Sequence, residues 1–584
     1  MDLKKFFSEL KRREVYKVAI AYGITAWLIA QISGLISNSF EFPSWVMKMI
    51  ITILIVGFPI ALILSWIFEF SSKGIRKTAP VASDGTDVNK TLETRLVIGV
   101  LVLIGLLMIG GWWTWQEFGL DKEPPIRNLV VLPFDNYTGN DEYEYFVAGI
   151  HSSLIQDIGK IGELTVKSKT TANSFKETDL SLPEIAAKLG IDAAVEGSIT
   201  CMGEDSVCVQ IRLTRAYPEE QQIWVQDYSV EKSQILNFYN KVTKQISNEI
   251  NITLTPWEES LLAESKTVNK EAYDDYLKGD FMDDFNKESM YKALDYLNSA
   301  IEKEPDWAPL YSALAGVWVS LAQAGHVPTE IASPKIYDNI GKALELDPDL
   351  ADAHSVNGLI AYLVEWNWDK GEKEYLKALA INPNDAGTRI IYAHLLCILQ
   401  RPEEALTQGR LALDLDPLNL NTQAFYSAVL DFTGDCENAL VHLEKVVAID
   451  PGHVLANNTI LNAAFRCGDY NKAFEALKHI LPFEKDTIIE IERIFNEQGF
   501  IAAQEEILRQ SERMAQYDFI SPIVMAIRSM RANQPDKAME WIEKGYELHD
   551  QGIAYITVYN FDPLFDNPRF IAIVEKMNLP LPEK

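Results

Sequence analysis

The sequence predicts a multidomain protein: a three-helix transmembrane anchor, a small α/β domain and an all-α solenoid of repeats. Three observations lead to this prediction. Three long apolar runs fall within residues 1–120 of the 584-residue chain. A stretch with alternating strand-like and helix-like patterns occupies residues 126–255. Prolines then recur at nearly fixed spacing within residues 268–584, as in stacked helix pairs.

The net charge of −30 is unevenly distributed along the chain. Residues 1–95 contain 12 Lys and Arg and 8 Asp and Glu, a balance of +4, so the remaining 489 residues carry −34. Nucleic-acid binding requires a basic surface, and we therefore expect no nucleic-acid partner. A function that requires acidic residues would explain this charge. A generally acidic proteome, as in a salt-adapted organism, explains it equally well.

The three apolar runs are long enough to span a bilayer, at roughly Val18–Ser37, Met49–Phe68 and Leu96–Trp115. The first is too long for a cleaved signal peptide, lacks a small-residue cleavage site and is soon followed by the second. No ionisable residue lies in the middle of a run. We therefore predict an anchor in the lipid bilayer rather than a transporter.

Small residues form a stripe along the first run. Ala26, Ala30 and Gly34 recur every four residues, a spacing that lets two helices approach closely. The stripe suits packing against the other two runs of the same chain, and it also suits self-association. The sequence therefore leaves open whether the protein forms a homo-oligomer.

Basic residues predict the orientation of the anchor, since Lys and Arg are enriched in cytoplasmic loops. The flank before the first run, predicted to be a basic helix, has six, the loop 38–45 has none and the loop 69–95 has five. Alternation places the N-terminus in the cytoplasm and everything after about residue 116 outside it.

The middle domain reads as β-α-β-α-β-β-β-α, the order of a layered α/β domain. Its predicted strands are Asn128–Phe134, Glu163–Ser168, Ile191–Thr200, Val207–Leu213 and Gln222–Tyr228, and its predicted helices are Tyr143–Gly159, Leu182–Leu189 and Ser233–Asn251. Asp135, Glu142, Glu144 and His151 could bind a ligand near the end of the first strand, although a solvated loop and a surface histidine explain them more simply.

The sequence lacks the common catalytic motifs. It has no phosphate-binding loop, no Gly-x-Ser-x-Gly, no His-Glu-x-x-His and no dinucleotide-binding fingerprint after a strand. We therefore predict no catalytic residue, no cofactor and no metal site, and we do not expect an enzyme.

Three runs in this domain carry a resemblance to a known family: Val130–Asn136, Glu144–Ile150 and Ala187–Ser198. They resemble the TolB-amino-terminal-like (FlgO-like) domain of bacterial envelope proteins, and Arg12–Trp27 and Trp366–Tyr375 are similar to other parts of proteins in that group. In the group, a membrane segment, this domain and tetratricopeptide repeats follow one another. The resemblance implies this architecture at a bacterial inner membrane, with the later residues in the periplasm.

The resemblance does not imply a particular activity. Members of the group share no common biochemical function. Many carry a DNA-binding or nucleotide-cyclase domain ahead of the anchor, for which this chain has no room, and so neither activity is carried over.

The five cysteines suggest two disulfides in an oxidising compartment. Cys201 and Cys208 would face each other across a hairpin, with Cβ atoms about 4.5–5.5 Å apart. We predict a bond there, with two free thiols as the alternative. Cys436 and Cys467, near the turns of consecutive repeats, form a second candidate pair. Cys397 is expected to pack in the solenoid, where neighbouring His394 lacks the second ligand pair of a metal site.

The C-terminal half has a repeat with a period of 34 residues. Pro305, Pro348, Pro383, Pro417 and Pro451 each close a helical stretch, with spacings of 43, 35, 34 and 34 residues. This is the signature of the tetratricopeptide repeat (TPR).

The period divides the array into units. We predict six units from Asn269 to about residue 483. The second unit is enlarged by an insertion, His326–Pro334, between its helices. Two degenerate pairs follow, Asp486–Met514 and Ile520–His549, and the last residues are expected to cap the final apolar face.

First helices of TPR units line a concave face that binds extended peptides. Nine residues there are candidates for partner contact, with ordinary packing between repeats as the alternative for each. They are Tyr311, Trp318, Asn357, Tyr362, Arg389, Tyr392, His394, Tyr426 and Asn458.

These observations favour an extracytoplasmic scaffold that is anchored in the inner membrane and binds envelope or secreted proteins. The alternative is a transmembrane signalling protein that relays partner occupancy to the short cytoplasmic N-terminal segment. An enzyme site in the α/β domain is the third hypothesis.

Overall fold

The computed structural model describes residues 15–39, short pieces of 50–77, and residues 124–217, 219–263, 267–281, 287–323 and 326–581. The chain divides into two compact units, Met1–Pro124 and Pro125–Lys584. The second unit contains both the α/β domain and the repeats.

The first unit contains helix α1 (Val15–Ser39). Within it, Val15–Ser33 has a mean hydropathy of 1.4 and is long and apolar enough to cross a membrane; it is the one such helix among the residues described. The Tyr22 hydroxyl donates to the Leu54 carbonyl at 2.8 Å, so α1 packs against part of the second predicted span. The third predicted span and the N-terminal basic helix lie outside the described residues.

A short hairpin follows in the first unit. Strands β1 (Phe68–Ser71) and β2 (Gly74–Lys77) pair in antiparallel register. Apart from Phe68, the last residue of the second predicted span, this hairpin falls in the loop 69–95, whose basic residues predict a cytoplasmic position.

The α/β domain is built on one mixed sheet. Its strands are β3 (Asn128–Val131), β4 (Asp135–Asn136), β5 (Thr165–Val166), β6 (Ala193–Met202), β7 (Ser206–Arg215) and β8 (Gln221–Glu231). The order is β5-β3-β6-β7-β8, and β4 pairs with β6. Strands β3, β5 and β6 run parallel, whereas β6, β7 and β8 form an antiparallel meander. The helices are α2 (Glu144–Gly159), α3 (Lys169–Asn173), α4 (Leu182–Leu189) and α5 (Ile235–Glu249).

Helices cover both faces of this sheet. Side chains alternate along a strand, and so neighbours on β3 join different cores. Leu129 and Val131 pack in the core that contains α2 and α5. Val130 packs in the smaller core that contains α3 and α4. The continuous apolar run of β3 is thus explained by burial on both sides.

The first repeat helix also belongs to the core of the α/β domain. After α6 (Pro256–Leu261) comes α7 (Lys270–Phe281), whose Tyr273 and Leu277 are buried in that core. A Cβ on Gly149 of α2 would lie 2.5 Å from a Leu277 methyl, so glycine is needed for this close approach. The boundary predicted between residues 255 and 268 therefore does not separate two cores, because the first repeat helix packs in the core of the α/β domain.

The described residues between 270 and 547 form eight consecutive helix pairs. The helices after α7 are α8 (Lys287–Lys303), α9 (Ala308–Gln323), α10 (Thr329–Leu346), α11 (Ala351–Leu363), α12 (Trp368–Ile381), α13 (Ala386–Ile398), α14 (Pro402–Leu415), α15 (Leu420–Phe432), α16 (Cys436–Ile449), α17 (Val454–Arg466), α18 (Tyr470–Lys478), α19 (Lys485–Gln498), α20 (Phe500–Met514), α21 (Pro522–Arg531) and α22 (Pro535–Glu547).

The repeats are held by small residues at helix crossings and by capped turns. Ala405, Ala439 and Ala473 are fully buried, which lets the helices of each pair touch. Asp435 and Asp469 accept backbone N–H groups at the start of α16 and α18, which satisfies donors that have no partner within the helix.

The second repeat differs from the prediction. Residues from Thr329 onward, including Pro334, belong to α10. The segment predicted as an insertion between the helices is therefore mostly an extension of the second helix, which has 18 residues where α12 has 14. Pro334 is the sixth residue of α10, so its missing N–H removes one hydrogen bond of the helix, and α10 nevertheless continues through it.

The end of the chain packs against several repeats and not only against the last helix pair. Residues 549–581, here called the C-terminal segment, contain α23 (Pro568–Lys576). Ile553, Phe561 and Phe570 are fully buried in the core of the array. The segment reaches back to α10, where Gln551 Nε2 donates to Thr329 Oγ1 at 3.4 Å.

Candidate functional site

Four of the nine predicted contact residues are buried between helices. Tyr362, Tyr392, His394 and Tyr426 are at most 7% exposed. The Tyr392 hydroxyl donates to Glu372 at 2.7 Å. Tyr426 packs against Gly409 and Tyr362 against Gly371, so these two side chains fill gaps beside small residues at the crossings and are not presented to a partner.

The other five are accessible to different degrees. Arg389 is half-buried, and it donates to the Pro383 carbonyl and to Gln408. Trp318 carries Lys335 over its ring at 4.8 Å, and Tyr311 donates to the Pro305 carbonyl. Asn357 is half-buried and Asn458 is exposed.

The C-terminal segment covers part of the surface formed by the first helices. The Tyr555 hydroxyl lies 3.2 Å from that of Tyr362 and 3.5 Å from His394 Nδ1. Trp368 Nε1 donates to the Met577 carbonyl at 2.7 Å. A peptide at these positions would meet the chain's own residues.

A cavity of about 440 Å³ remains beside this segment. The walls come mainly from the first helices α13, α15, α17 and α21, with Tyr555 and Tyr559 from the C-terminal segment. Two of the lining residues, Asn458 and Val524, are exposed, so the cavity is open to solvent. Of the predicted residues, His394 and Asn458 lie in it. We call it the arginine cavity, after Arg528 and Arg531 in its wall.

The arginine cavity has an excess of buried positive charge. Arg531 is 8% exposed, and burial lowers the pKa of its guanidinium to about 9, with Arg528 as a second cause. Burial also lowers the pKa of Arg528 to about 10. Asp431, 1% exposed, is the one acidic residue in the wall, and its Oδ1 lies 3.1 Å from Arg466 Nε. Burial lowers the pKa of His394 to about 4, so it adds no charge near neutral pH.

Four charged residues of this region were not predicted from the sequence: Asp431, Arg466, Arg528 and Arg531. Each lies within or at the end of an apolar helical run, in Ser427–Phe432, Leu461–Arg466 or Pro522–Arg531. Such residues are expensive to bury unless they are paired. The pattern alone does not bring them together, because they come from three different repeats.

The α/β residues named as ligand candidates have structural partners. His151 is 2% exposed, its Nε2 lies 2.8 Å from the Val131 carbonyl oxygen, and burial lowers its pKa to about 4. It is therefore a buried neutral residue rather than the predicted surface histidine. Glu144 accepts hydrogen bonds from Lys176 and Asn136, of which that from Lys176 has the larger effect, and these lower its pKa against the effect of burial. Asp135 accepts from Tyr137, and Glu142 lies exposed at the same turn.

Polar contacts join the α/β domain to the array. Lys167, 2% exposed, donates to the Asp414 carbonyl at 2.7 Å. The hydroxyls of Ser168 and Thr171 both donate to Asp416. A second cavity, of about 680 Å³, lies at the same junction and has both acidic and aromatic walls. Among the residues described, no group of three or more His, Cys, Asp or Glu is arranged to hold a metal ion.

The structure contains two disulfides. Cys201 is bonded to Cys208 across the β6–β7 hairpin, and Cys436 is bonded to Cys467 between consecutive repeats. Cys397 is free and buried in α13, and burial raises the pKa of its thiol to about 12. Two such bonds fit an oxidising compartment.

Fold and site together define a multidomain protein with a mixed α/β domain followed by a TPR array. No family model matches the chain. It is 26% identical over 219 residues to "Putative adenylate cyclase 3" of Rhizobium meliloti (strain 1021), covering 35% of this chain and 36% of that protein. It is 23% identical over 308 residues to the transcriptional regulator HilA of Salmonella typhimurium (strain LT2), covering 50% and 52%. The chain thus spans about a third to a half of the length of these curated relatives.

Solved structures with similar repeats include PilW, a type IV pilus biogenesis factor, with a TM-score of 0.29 and 20% identity over 36% of this chain and 94% of that one. YrrB, a TPR protein with an unusual peptide-binding site, has a TM-score of 0.24 and 23% identity over 34% and 96%. Human IFIT1 has a TM-score of 0.34 and 14% identity over 54% and 77%.

Proposed function

We propose that the protein is a scaffold, anchored in a bacterial inner membrane, whose TPR array binds a protein or peptide partner outside the cytoplasm. The observation that carries the proposal is the arginine cavity, which opens to solvent on the surface of the first helices. That surface is the usual binding face of such arrays. The α/β domain, proposed to be TolB-amino-terminal-like, then serves as a docked support without catalytic activity.

The membrane part of the proposal has three spans with the N-terminus in the cytoplasm. Its support is the apolar helix Val15–Ser33, its packing against Leu54 and the distribution of basic residues. The two disulfides support an extracytoplasmic repeat array.

Reporter fusions test this topology. Alkaline phosphatase fused after residues 45, 120 and 560 should be active, and fused after residue 80 it should be inactive. Green fluorescent protein at the same sites should give the opposite pattern. Activity of phosphatase at residue 80, or its loss at residue 560, would contradict the proposal.

Site-specific photo-crosslinking in cells tests partner binding. A photoreactive amino acid replaces Asn458, which is exposed in the arginine cavity. The matched control replaces Val441, which is 51% exposed on the second helix α16. A discrete adduct at position 458 that is absent at 441 supports the proposal. Equal labelling at both positions, or none at either, counts against it.

The second candidate function is signalling across the membrane to the N-terminal segment. The names of the partial relatives, a transcriptional regulator and an adenylate cyclase, favour it. If it holds, deletion of residues 2–16 should abolish the cellular phenotype of the protein while the crosslink at position 458 persists. An unchanged phenotype would leave the scaffold as the better explanation.

A further inference from the structure

The arginine cavity contains more positive charge than its own residues neutralise. Arg528 and Arg531 lie in the wall, where Asp431 is the one carboxylate. Asp431 is paired with Arg466 and also attracts Arg531, so that a single carboxylate serves three arginines. This is the reverse of the whole chain, whose net charge is −30. Like charges buried close together are costly unless an anion compensates them.

Arg531 also has an unused hydrogen-bond donor. One terminal nitrogen of its guanidinium donates to Asn462 Oδ1. The buried Nε has no partner within the described part of the chain. Arg528 donates to Ser511 Oγ at 2.5 Å from the same region. A guanidinium whose Nε–H is unpaired can donate to a carboxylate oxygen, and its planar shape suits an acceptor with two oxygens.

Apolar side chains surround these charges. Phe425, Phe432 and Leu455 line the cavity, and Tyr555 and Tyr559 close one side of it. A volume of about 440 Å³ has room for a small organic group as well as an anion. Positive charge on one side of the cavity and apolar walls around it favour an amphipathic ligand over an inorganic ion.

We propose that the arginine cavity binds a carboxylate-bearing ligand, with the carboxylate on Arg531 and Arg528 and an apolar portion against Phe425 and Phe432. This inference rests on the proposed function when the carboxylate is that of a peptide partner, either its C-terminus or an acidic side chain. A free small carboxylic acid has the same chemistry.

Binding by the full chain in detergent micelles tests the inference by titration calorimetry. The probes are the tripeptide acetyl-Ala-Ala-Leu as a free acid, its C-terminal amide, hexanoate and inorganic phosphate. The free acid should bind at least tenfold more tightly than the amide. Equal affinity for acid and amide overturns the inference, and so does tighter binding of phosphate than of either carboxylate.

Substitutions of the two cavity arginines identify the site. Arg531→Gln should weaken binding of the free acid at least tenfold, and Arg528→Gln should weaken it severalfold. Arg531→Lys, which keeps the charge but loses the planar edge, serves as the second variant if Arg531→Gln unfolds, and it should also weaken binding. The matched control is Arg493→Gln, since Arg493 lies exposed on α19 and away from the cavity. Unchanged affinity in a folded Arg531 variant overturns the inference.

The outcomes separate this inference from the proposed function. Binding of hexanoate without binding of the peptide acid supports a carboxylate site and counts against a peptide partner. A specific crosslink at position 458 without binding of any carboxylate leaves the scaffold in place and overturns the assignment of the ligand.

Discussion

His394 is held neutral by its surroundings. It is 4% exposed, its Nε2 lies 3.1 Å from the Phe425 carbonyl oxygen, and burial lowers its pKa to about 4. A histidine in an unfolded chain titrates near 6.5. Between pH 6.5 and 4, the unfolded chain therefore binds a proton at this residue that the folded chain does not bind.

Acid should destabilise the folded chain through His394. The contribution of neutral His394 to the free energy of unfolding is complete above about pH 6.5 and is lost as the pH falls toward 4. At pH 5 the loss is about 2 kcal/mol. His394→Gln should reduce the drop in the urea midpoint between pH 7.5 and 5, followed by circular dichroism. The exposed His479 is the control, because His479→Gln should leave the drop unchanged. An unaltered drop in His394→Gln would contradict the assignment.

Asp431 is the residue on which the buried charges of the array depend. Removing its carboxylate leaves Arg466 and the two arginines of the cavity without a buried anion. Loss of one partner of a buried ion pair costs about 3–5 kcal/mol. Asp431→Asn should therefore lower the free energy of unfolding by about that amount, and adding Arg466→Gln should recover part of it.

A double-mutant cycle in urea measures the coupling between Asp431 and Arg466. The exposed pair Glu490 and Arg493 on α19 is the comparison, and removing either of its members should have a much smaller effect. Strictly additive losses at Asp431 and Arg466 would show that the buried pair is not coupled.

At the scale of the element, the C-terminal segment packs on the array through apolar side chains, and isolated hydrogen bonds add to this packing. Trp368 is 7% exposed and donates to the Met577 carbonyl. Trp368→Phe keeps an aromatic side chain, though a smaller one, and leaves that carbonyl without its donor, at a cost of about 1–3 kcal/mol. Faster hydrogen exchange should follow in residues 568–581 but not in α16.

A second tryptophan serves as the control for that experiment. Trp257 is 45% exposed, and its Nε1 donates to the Ala380 carbonyl at 3.4 Å, away from the C-terminal segment. Trp257→Phe should leave exchange in residues 568–581 unchanged. Similar exchange in wild type and Trp368→Phe would mean that the segment is held by apolar packing alone.

The elements differ in how far the sequence predicts them. The period of 34 residues predicts the helix pairs because each pair repeats the same small residues and turns. The extended α10 was mistaken for an insertion, since proline usually interrupts a helix. The return of the C-terminal segment to α10 and α12 was beyond prediction, because it depends on how the pairs stack in space. The same limit applies to the arginine cavity.

At the scale of the whole second unit, the residues that mark the ends of the repeats also join the repeat array to the α/β domain. Leu415-Asp416-Pro417 ends the fourth pair, and Asp416 accepts hydrogen bonds from Ser168 and Thr171. After the preceding Pro383, Asn384 accepts the Val166 N–H and donates to the Gly159 carbonyl. The α/β domain therefore contacts the array at the ends of two neighbouring repeats, which are separated by the repeat period.

Loosening this docked interface should separate the unfolding of the two parts. Lys167→Met removes a buried ammonium that donates to Asp414, and Thr171→Val removes the hydroxyl that donates to Asp416, while both substitutions keep apolar bulk. In wild type, the shared core through Tyr273 and Leu277 should make the α/β domain and the repeats unfold in one calorimetric transition. In the double variant, we expect the transition to broaden or split, with earlier exchange of β5.

The control for this experiment changes the same residue types away from the interface. Lys188 and Thr170 are exposed, and Lys188→Met with Thr170→Val should leave a single transition. If the interface variant also melts in one transition at an unchanged temperature, the polar contacts do not couple the two parts and Tyr273 with Leu277 must do so. A split transition would instead show that the repeat ends act as a docking device, because the apolar contacts of α7 are the same in both variants.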